Sequence, residues 1–236
     1  LQILDINGKI EKSLTHSKAD PSSLSSNQVT SLTMQGDSVV WIGTFNGGLN
    51  KLTLKDYRIE RLALKAMDGS PTQIDALYTD HMGNVWIGSK LGVRVITAEG
   101  DTLSLGLGDN ELEGLSDPEV LCFEQDDNNR MWIGTRNGGL NVLSIPDFLN
   151  KKQLDITWFL PRSDGSSVFN RTVSALKKGK DGNMWIGTST GLNFVNPNGE
   201  PIKLLHRNPH IPFTLSHNRI GALAMGASNQ IWIGTD

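Results

Sequence analysis

Residues 40–44 read Val-Trp-Ile-Gly-Thr, and this stretch decides the fold because the chain of 236 residues repeats it. Each copy consists of an apolar residue, Trp, Ile, Gly, and then Thr or Ser. The other copies are Val85–Ser89, Met131–Thr135, Met184–Thr188 and Ile231–Thr235. Their tryptophans follow one another at intervals of 45, 46, 53 and 47 residues. Periods of this size indicate an array of one supersecondary unit.

A small residue lies ten positions before each motif tryptophan, with a β-branched residue two positions earlier. The small residues are Ser31, Ala76, Cys122, Ala175 and Ala222. Because the offset is constant, we expect two strands, A and B, joined by a hairpin of constant length. The hairpins are rich in Asp, Asn and Gly, which cap turns and accept positive φ.

A second turn, often Asn-Gly-Gly, follows strand B and leads into an apolar strand C and a more polar strand D. Asn-Gly between apolar runs is a strong hairpin signal. Strand C is predicted at Leu49–Leu52, and strand D at Arg58–Leu62 or, in the last complete unit, at Pro201–Leu205. Each unit is therefore predicted to be a four-stranded antiparallel meander, with almost no helix in the chain.

The motif predicts how neighbouring sheets pack. Side chains alternate along a strand, so the Trp and the Gly of one copy point to the same face. A large ring beside a bare backbone lets the next sheet approach closely, and radial stacking of such sheets is a β-propeller. We therefore predict an all-β β-propeller of four-stranded antiparallel blades. The structural residues are Trp41, Trp86, Trp132, Trp185, Trp232, Gly43, Gly88, Gly134, Gly187 and Gly234. We expect the first four tryptophans to be buried between blades and Trp232 to behave differently.

The chain is predicted to form a single propeller domain or a fragment of one. The predicted parts are a half blade at 1–20, blades at 21–70, 71–113, 114–166 and 167–207, and a half blade at 208–236. The first half blade supplies strands C and D, and the last supplies A and B. The two halves either close a five-bladed ring or are the ends of a larger propeller. Leu1 opens directly in strand-like sequence, so we expect a piece of a longer protein.

Composition excludes several classes of function. The net charge is −3 and charges of both signs are interspersed, which argues against a nucleic-acid surface. No run of 18 apolar residues is present, so we expect membrane attachment only through segments outside this chain. The single cysteine, Cys122, fills the small-residue position and is expected to be a buried filler. The five histidines have no metal-ligand spacing, and we predict no metal and no cofactor.

The repeat resembles that of the two-component regulator propeller family. The resemblance rests on Trp-Ile-Gly-Thr, the following Asn-Gly-Gly-Leu-Asn, and the preceding Val-x-Ser/Ala-Leu strand. The segment Asp20–Val29 resembles the blade linker of that family, and Asn208–Ile220 repeats it with an insertion. The resemblance implies the extracytoplasmic, periplasmic part of a bacterial inner-membrane receptor. It also implies a receptor homodimer, a histidine kinase or diguanylate cyclase elsewhere in the protein, and a signal that in several relatives is an oligosaccharide.

In a propeller the B–C turns and the D–A linkers lie on one face, where loops on a rigid scaffold serve recognition. We expect a small polar ligand there, and the resemblance suggests a carbohydrate. The alternative for any one residue is an ordinary solvated rim. The candidate ligand-binding residues are Phe45, Asn46, Lys90, Arg136, Asn137, Arg171, Thr190 and Arg219. The linker ends add Asn27, Gln73 and Asp117.

A sensory binding module is the favoured function, with a structural or protein-interaction propeller as the alternative. A propeller lyase or glycosidase is a third reading. A glycosidase would need Asp117 or Glu119 to pair with another carboxylate at a defined separation. The Asp-containing A–B hairpins are interpreted as capped turns rather than calcium sites. We predict no catalytic residue in this segment.

Overall fold

The computed structural model describes residues 1–62, 64, 72–106, 114–150, 155–162, 167–196, 202–228 and 230–236. Across these residues the chain forms twenty strands and one five-residue helix. Two compact units are present, Leu1–Thr102 and Leu103–Asp236. The predicted all-β fold of four-stranded antiparallel sheets is confirmed.

The first unit contains a two-stranded sheet and then four-stranded meanders. The pair is β1 (Gln2–Leu4) with β2 (Ile10–Ser13). The next sheet is β3 (Val29–Gln35), β4 (Val39–Thr44), β5 (Leu49–Thr53) and β6 (Arg58–Leu62). The next is β7 (Ile74–Thr79), β8 (Val85–Ser89), β9 (Gly92–Ile96) and β10 (Thr102–Leu105), where β10 runs into the second unit.

The second unit repeats this arrangement and ends in a two-stranded sheet. Its first sheet is β11 (Val120–Gln125), β12 (Arg130–Thr135), β13 (Leu140–Ser144) and β14 (Ile156–Phe159). The next is β15 (Val173–Lys178), β16 (Met184–Thr188), β17 (Gly191–Val195) and β18 (Lys203–Leu205). The last is β19 (Ile220–Met225) with β20 (Ile231–Thr235). Pro201, the predicted start of β18, lies outside the described residues.

A short helix, α1 (Ile145–Leu149), separates β13 from β14. Ser144 caps it, accepting a hydrogen bond from the backbone N–H of Asp147 at 3.4 Å, and Pro146 lies in its first turn, where a missing N–H costs nothing. The extra residues explain why the interval between Trp132 and Trp185 is the longest of the four.

The five sheets that contain strands A and B share one A–B register, as the constant offset predicted. The small residue of strand A lies opposite the glycine of strand B, as in Ser31 with Gly43 and Ala222 with Gly234. A register shift precedes the small residue in all five A strands.

The motif glycines admit the neighbouring sheet. A Cβ added to Gly43 would lie 2.7 Å from Cγ2 of Ile74, the first residue of β7. A Cβ on Gly187 would meet Cγ2 of Ile220, the first residue of β19, at the same distance. Real Cβ contacts are never so short, so the close approach requires glycine. The predicted packing of ring and bare backbone is therefore present within each unit.

The tryptophans are buried to different degrees. Trp41 and Trp132 are 3% exposed and Trp86 is fully buried. Trp185 is only half-buried, so the expectation that it would be buried like the first three is wrong. Trp132 packs against residues from several strands of the following sheet, whereas the sheet that follows Trp185 has two strands and covers less of its ring. Trp232, 66% exposed, differs as expected.

The linkers before β3 and β19 have the same spacing between their hydrogen-bonded residues, so the expected insertion between Asn208 and Ile220 is wrong. In the first linker the hydroxyl of Ser23 accepts from the N–H of Ser17 at 2.8 Å. In the last, the hydroxyl of Thr214 accepts from the N–H of Asn208 at 3.0 Å. Asn208 therefore corresponds to Ser17. The alignment of Asn208 with Asp20 failed because both precede a proline, although the capping hydroxyls determine the register.

Candidate functional site

The last residue of the motif closes the B–C turn of its own sheet. Thr135 donates its hydroxyl proton to the carbonyl of Gly139 at 3.0 Å and accepts from the N–H of Gly138 at 3.1 Å. Thr44 makes the equivalent bonds in the β4–β5 turn. Ser89 and Thr188 close turns that are one residue shorter, to the carbonyls of Gly92 and Gly191. The candidate residues therefore lie on B–C turns of two different lengths.

A buried asparagine on strand C holds the linkers before β3, β11 and β15 in place. Asn50 accepts from the N–H of Ser25 at 2.8 Å, and Asn141 accepts from the N–H of Ser116 at 2.9 Å. Asn193 accepts from the N–H of Phe169 at 3.2 Å. The three asparagines are fully buried. Our sequence analysis missed this anchor, although the Leu-Asn pair that recurs at the start of strand C was a visible signal.

The candidate residues of the first unit lie on exposed turns. Phe45 and Asn46 occupy the β4–β5 turn, where half of Phe45 is exposed and its N–H donates to the carbonyl of Gln28 at 2.9 Å. Lys90 is exposed on the β8–β9 turn. The linker end Asn27 accepts from the backbone of His16 at 2.8 Å. Turn and linker thus meet at the same end of the β3–β6 sheet.

The second unit brings several candidates together around the β12–β13 turn. Arg136 pairs with Glu119 at 2.6 Å, and the backbone N–H of Arg136 donates to the carbonyl of Glu119 at 2.9 Å. From the next linker, Thr172 donates its hydroxyl proton to the carbonyl of Arg136 at 2.6 Å. Arg171 donates one Nη1 hydrogen bond to the carbonyl of Asn137 at 3.4 Å. We call Glu119, Arg136, Asn137, Arg171 and Thr172 the β12–β13 cluster.

The two arginines of the cluster differ electrostatically. The Glu119 carboxylate neutralises Arg136, whereas Arg171 makes one long bond to a neutral carbonyl and pairs with no carboxylate among the described residues. Arg136, Asn137 and Arg171 are exposed. The cluster can therefore donate charge-assisted and amide hydrogen bonds to a hydroxylated or anionic group. Thr172 was missed, because a threonine beside an arginine carries no signal without the turn.

Two other candidates lie apart from these contacts. Thr190 is exposed on the β16–β17 turn, where its N–H donates to the hydroxyl of Thr188 at 3.3 Å. Arg219 pairs with Asp236 at 2.9 Å, beyond the end of β20. No recorded contact joins either residue to the β12–β13 cluster within the described residues.

The carboxylates considered for glycoside hydrolysis already have hydrogen-bond partners. Asp117 accepts from the N–H of Glu119 at 2.9 Å and so closes its own turn. Glu119 is engaged by Arg136. Both carboxylates therefore act as local structural acceptors in this arrangement.

In two A–B hairpins an aspartate binds the motif tryptophan. Oδ2 of Asp126 accepts from the indole N–H of Trp132 at 2.9 Å, while Oδ1 accepts from the N–H groups of Asn128 and Arg130. Asp80 holds Trp86 in the same way, at 2.9 Å. Across the described residues, no group of three or more His, Cys, Asp or Glu side chains is placed to hold a metal ion.

Cys122 fills the small-residue position against the next sheet. Its sulfur donates to the carbonyl of Val173 at 3.5 Å, and a Cβ on Gly134 would lie 2.5 Å from it. Burial raises the pKa of the Cys122 thiol far above its ordinary value. A thiol held protonated in this way is a poor nucleophile.

The profile of the two component regulator propeller family matches residues 114–137 and 167–190. Each matched segment contains a linker, strands A and B, and the B–C turn. No curated protein sequence matches the chain.

Solved structures with a similar fold include the extracellular domains of two proteins described as hybrid two component systems of B. thetaiotaomicron. For BT4673 the TM-score is 0.70 at 18% identity, covering 88% of this chain and 26% of that chain. For BT3049 the TM-score is 0.66 at 17% identity, and the match covers 97% of this chain and 35% of that chain. Virginiamycin B lyase from Staphylococcus aureus has a TM-score of 0.67 at 19% identity, and the match covers 98% of this chain and 68% of the lyase chain. The chain thus spans a quarter to a third of the two B. thetaiotaomicron domains.

These similarities define the fold as that of a β-propeller. The family profile matches two of the recurrent units, and the resemblance stated from the sequence is confirmed for those two. Among the described helices, none has the length and apolar character needed to cross a bilayer.

Proposed function

We propose that this chain is a ligand-sensing part of a bacterial membrane-bound signalling receptor, located on the extracytoplasmic side. The repeat family and the two extracellular neighbours support this proposal. The lyase has the same fold, so the fold alone cannot carry the function. The site must carry it.

The observation that carries the proposal is the β12–β13 cluster. The cluster has an exposed guanidinium that pairs with no carboxylate among the described residues, an amide, and a second, neutralised guanidinium. The linker before β11 is held by a hydrogen bond to buried Asn141. Loops on a rigid scaffold are suited to recognition, because little ordering is needed when a ligand binds. We propose that the ligand is a small polar molecule such as an oligosaccharide.

Signalling follows if the ligand binds one arrangement of a receptor homodimer more tightly than another, because only differential affinity shifts a conformational equilibrium. A histidine kinase or diguanylate cyclase elsewhere in the protein would read that shift. The segment itself is proposed to be non-catalytic.

The test is a screen of glycans and metabolites on the purified chain by thermal shift, followed by titration calorimetry with each hit. We expect Arg171→Ala to weaken a hit by roughly tenfold or more, the size of a lost charge-assisted bond. Arg136→Ala should have a smaller effect, because Glu119 already neutralises that arginine. Arg58→Ala, an exposed strand arginine paired with Glu60, serves as the control.

A ligand that binds equally well to both cluster variants would place the site elsewhere. A protein that docks on this face, in the absence of any small ligand, would favour the interaction propeller instead. Turnover of a glycan by the purified chain would contradict the non-catalytic assignment.

A further inference from the structure

One position of strand C differs in the β7–β10 sheet. In the other three four-stranded sheets the residue opposite the motif isoleucine is an asparagine: Asn50 opposite Ile42, Asn141 opposite Ile133, and Asn193 opposite Ile186. Arg94 takes this position, opposite Ile87.

Arg94 cannot replace the asparagine chemically. In the other sheets the asparagine Oδ1 accepts a hydrogen bond from a linker N–H. A guanidinium has five donors and no acceptor. The side chain of Arg94 therefore cannot hold the backbone of a linker through that contact.

Arg94 also has no partner among the residues that the structure describes. It is half-buried, and it makes no hydrogen bond, ion pair or aromatic contact with any residue that the structure describes. Other strand arginines are engaged: Arg58 pairs with Glu60, and Arg61 donates to the carbonyls of a linker. Withdrawing a cation from water without a partner is costly, so an acceptor supplied by a ligand would be favoured at this position.

A second positive charge lies on the turn that leads into β9. Lys90 is exposed on the β8–β9 turn, two residues before β9 begins, and it pairs with no acidic side chain among the described residues. Two cations without counter-charges in the described part of the chain raise the local concentration of anions.

We propose that Arg94, assisted by Lys90, binds an oxyanion group of a ligand, either a carboxylate or a sulfate. A planar guanidinium recognises both groups through paired N–H donors. This inference rests on the proposed sensory function and assigns a chemical class to part of what is sensed.

The key variant is Arg94→Asn, which installs the residue found at this position in the other three sheets and is therefore expected to fold. The probes are sodium glucuronate, neutral glucose as its matched analogue, and sodium sulfate, all at equal ionic strength. Binding is followed by NMR shifts of the Arg94 side-chain N–H and by calorimetry.

The unchanged chain should bind glucuronate or sulfate and not glucose, and the preferred anion identifies the group. Arg94→Asn should lose roughly tenfold or more in affinity with an unchanged or higher melting temperature. Arg94→Lys should retain part of the affinity, and Arg58→Asn should retain all of it.

Three results would overturn the inference: no anion binding, equal binding of glucose and glucuronate, or a markedly lower melting temperature for Arg94→Asn, which would make Arg94 structural. Failure here is separable from failure of the proposed function. If a sugar binds Arg94→Asn normally but Arg171→Ala poorly, the ligand-binding role of the β12–β13 cluster is supported and the anion site at Arg94 is contradicted.

Discussion

At the scale of single residues, the motif tryptophans combine an apolar contact with a polar one. Trp132 is buried against the β15–β18 sheet while its N–H donates to Asp126. A buried indole needs such a partner, because an unsatisfied N–H would forfeit part of what burial contributes. The hairpin aspartate therefore serves as an internal acceptor as well as a turn cap.

We expect Trp132→Ala to lower the free energy of unfolding by about 3–5 kcal/mol, the usual cost of deleting a large buried aromatic. Trp232→Ala is the matched control, since that ring is 66% exposed and should cost about 1 kcal/mol or less. Urea denaturation of both variants measures the difference. Equal effects for the two variants would contradict the role given to burial.

At the scale of elements, the strands and their order could be predicted because every unit repeats one hydrophobic register. The glycine contacts could be predicted for the same reason: Gly43 and Gly187 occupy one position in that register and meet equivalent residues. The conformation of the linkers was harder to predict from the sequence. Hydroxyl caps such as Ser23 and Thr214 fix their conformation, and these caps are short-range side-chain contacts that leave no periodic pattern.

The candidate site, too, could be predicted only in part. The turns that carry Arg136 and Arg171 could be located from the repeat, but their partners could not. The pairing of Arg136 with Glu119 depends on how closely a linker approaches the turn, and buried Asn141 sets that approach through Ser116. Such a distance is a property of packing between elements rather than of either segment alone.

The anchor on strand C can be tested in the β3–β6 sheet. Asn50→Ala removes the acceptor of the Ser25 N–H in a buried site, and we expect a loss of about 1–3 kcal/mol in stability. The Ser25 amide should also exchange its hydrogen faster, as measured by NMR. Exposed Asn46→Ala should change neither quantity. If the Ser25 amide exchanges its hydrogen equally slowly in Asn50→Ala, the Asn50 side chain does not anchor the linker.

At the scale of the whole molecule, the two-stranded sheets are the least covered parts. Within the described residues no strand pairs with β20 on the side away from β19, and its Trp232 is largely exposed. Unpaired strand edges with apolar side chains invite association. The sequence left open whether the two half blades complete one blade of a ring or belong to different blades of a larger propeller.

We expect the isolated chain to associate in a concentration-dependent manner through β20, as an open propeller segment would. Sedimentation velocity over a range of concentrations measures this, and Trp232→Lys should reduce it because charge on an edge strand opposes pairing. A monomer that stays soluble at high concentration, with spin labels at Leu1 and Asp236 close together, would instead support the closed five-bladed ring.

The graded burial of the tryptophans gives the chain an optical reporter of its own. Trp41, Trp86 and Trp132 are shielded, whereas Trp232 is open to water. Its emission should therefore lie at longer wavelength and be the first that iodide quenches. Any strand that covers β20 would shift this emission to the blue and protect it from the quencher. Docking at this edge can thus be followed in solution without a label.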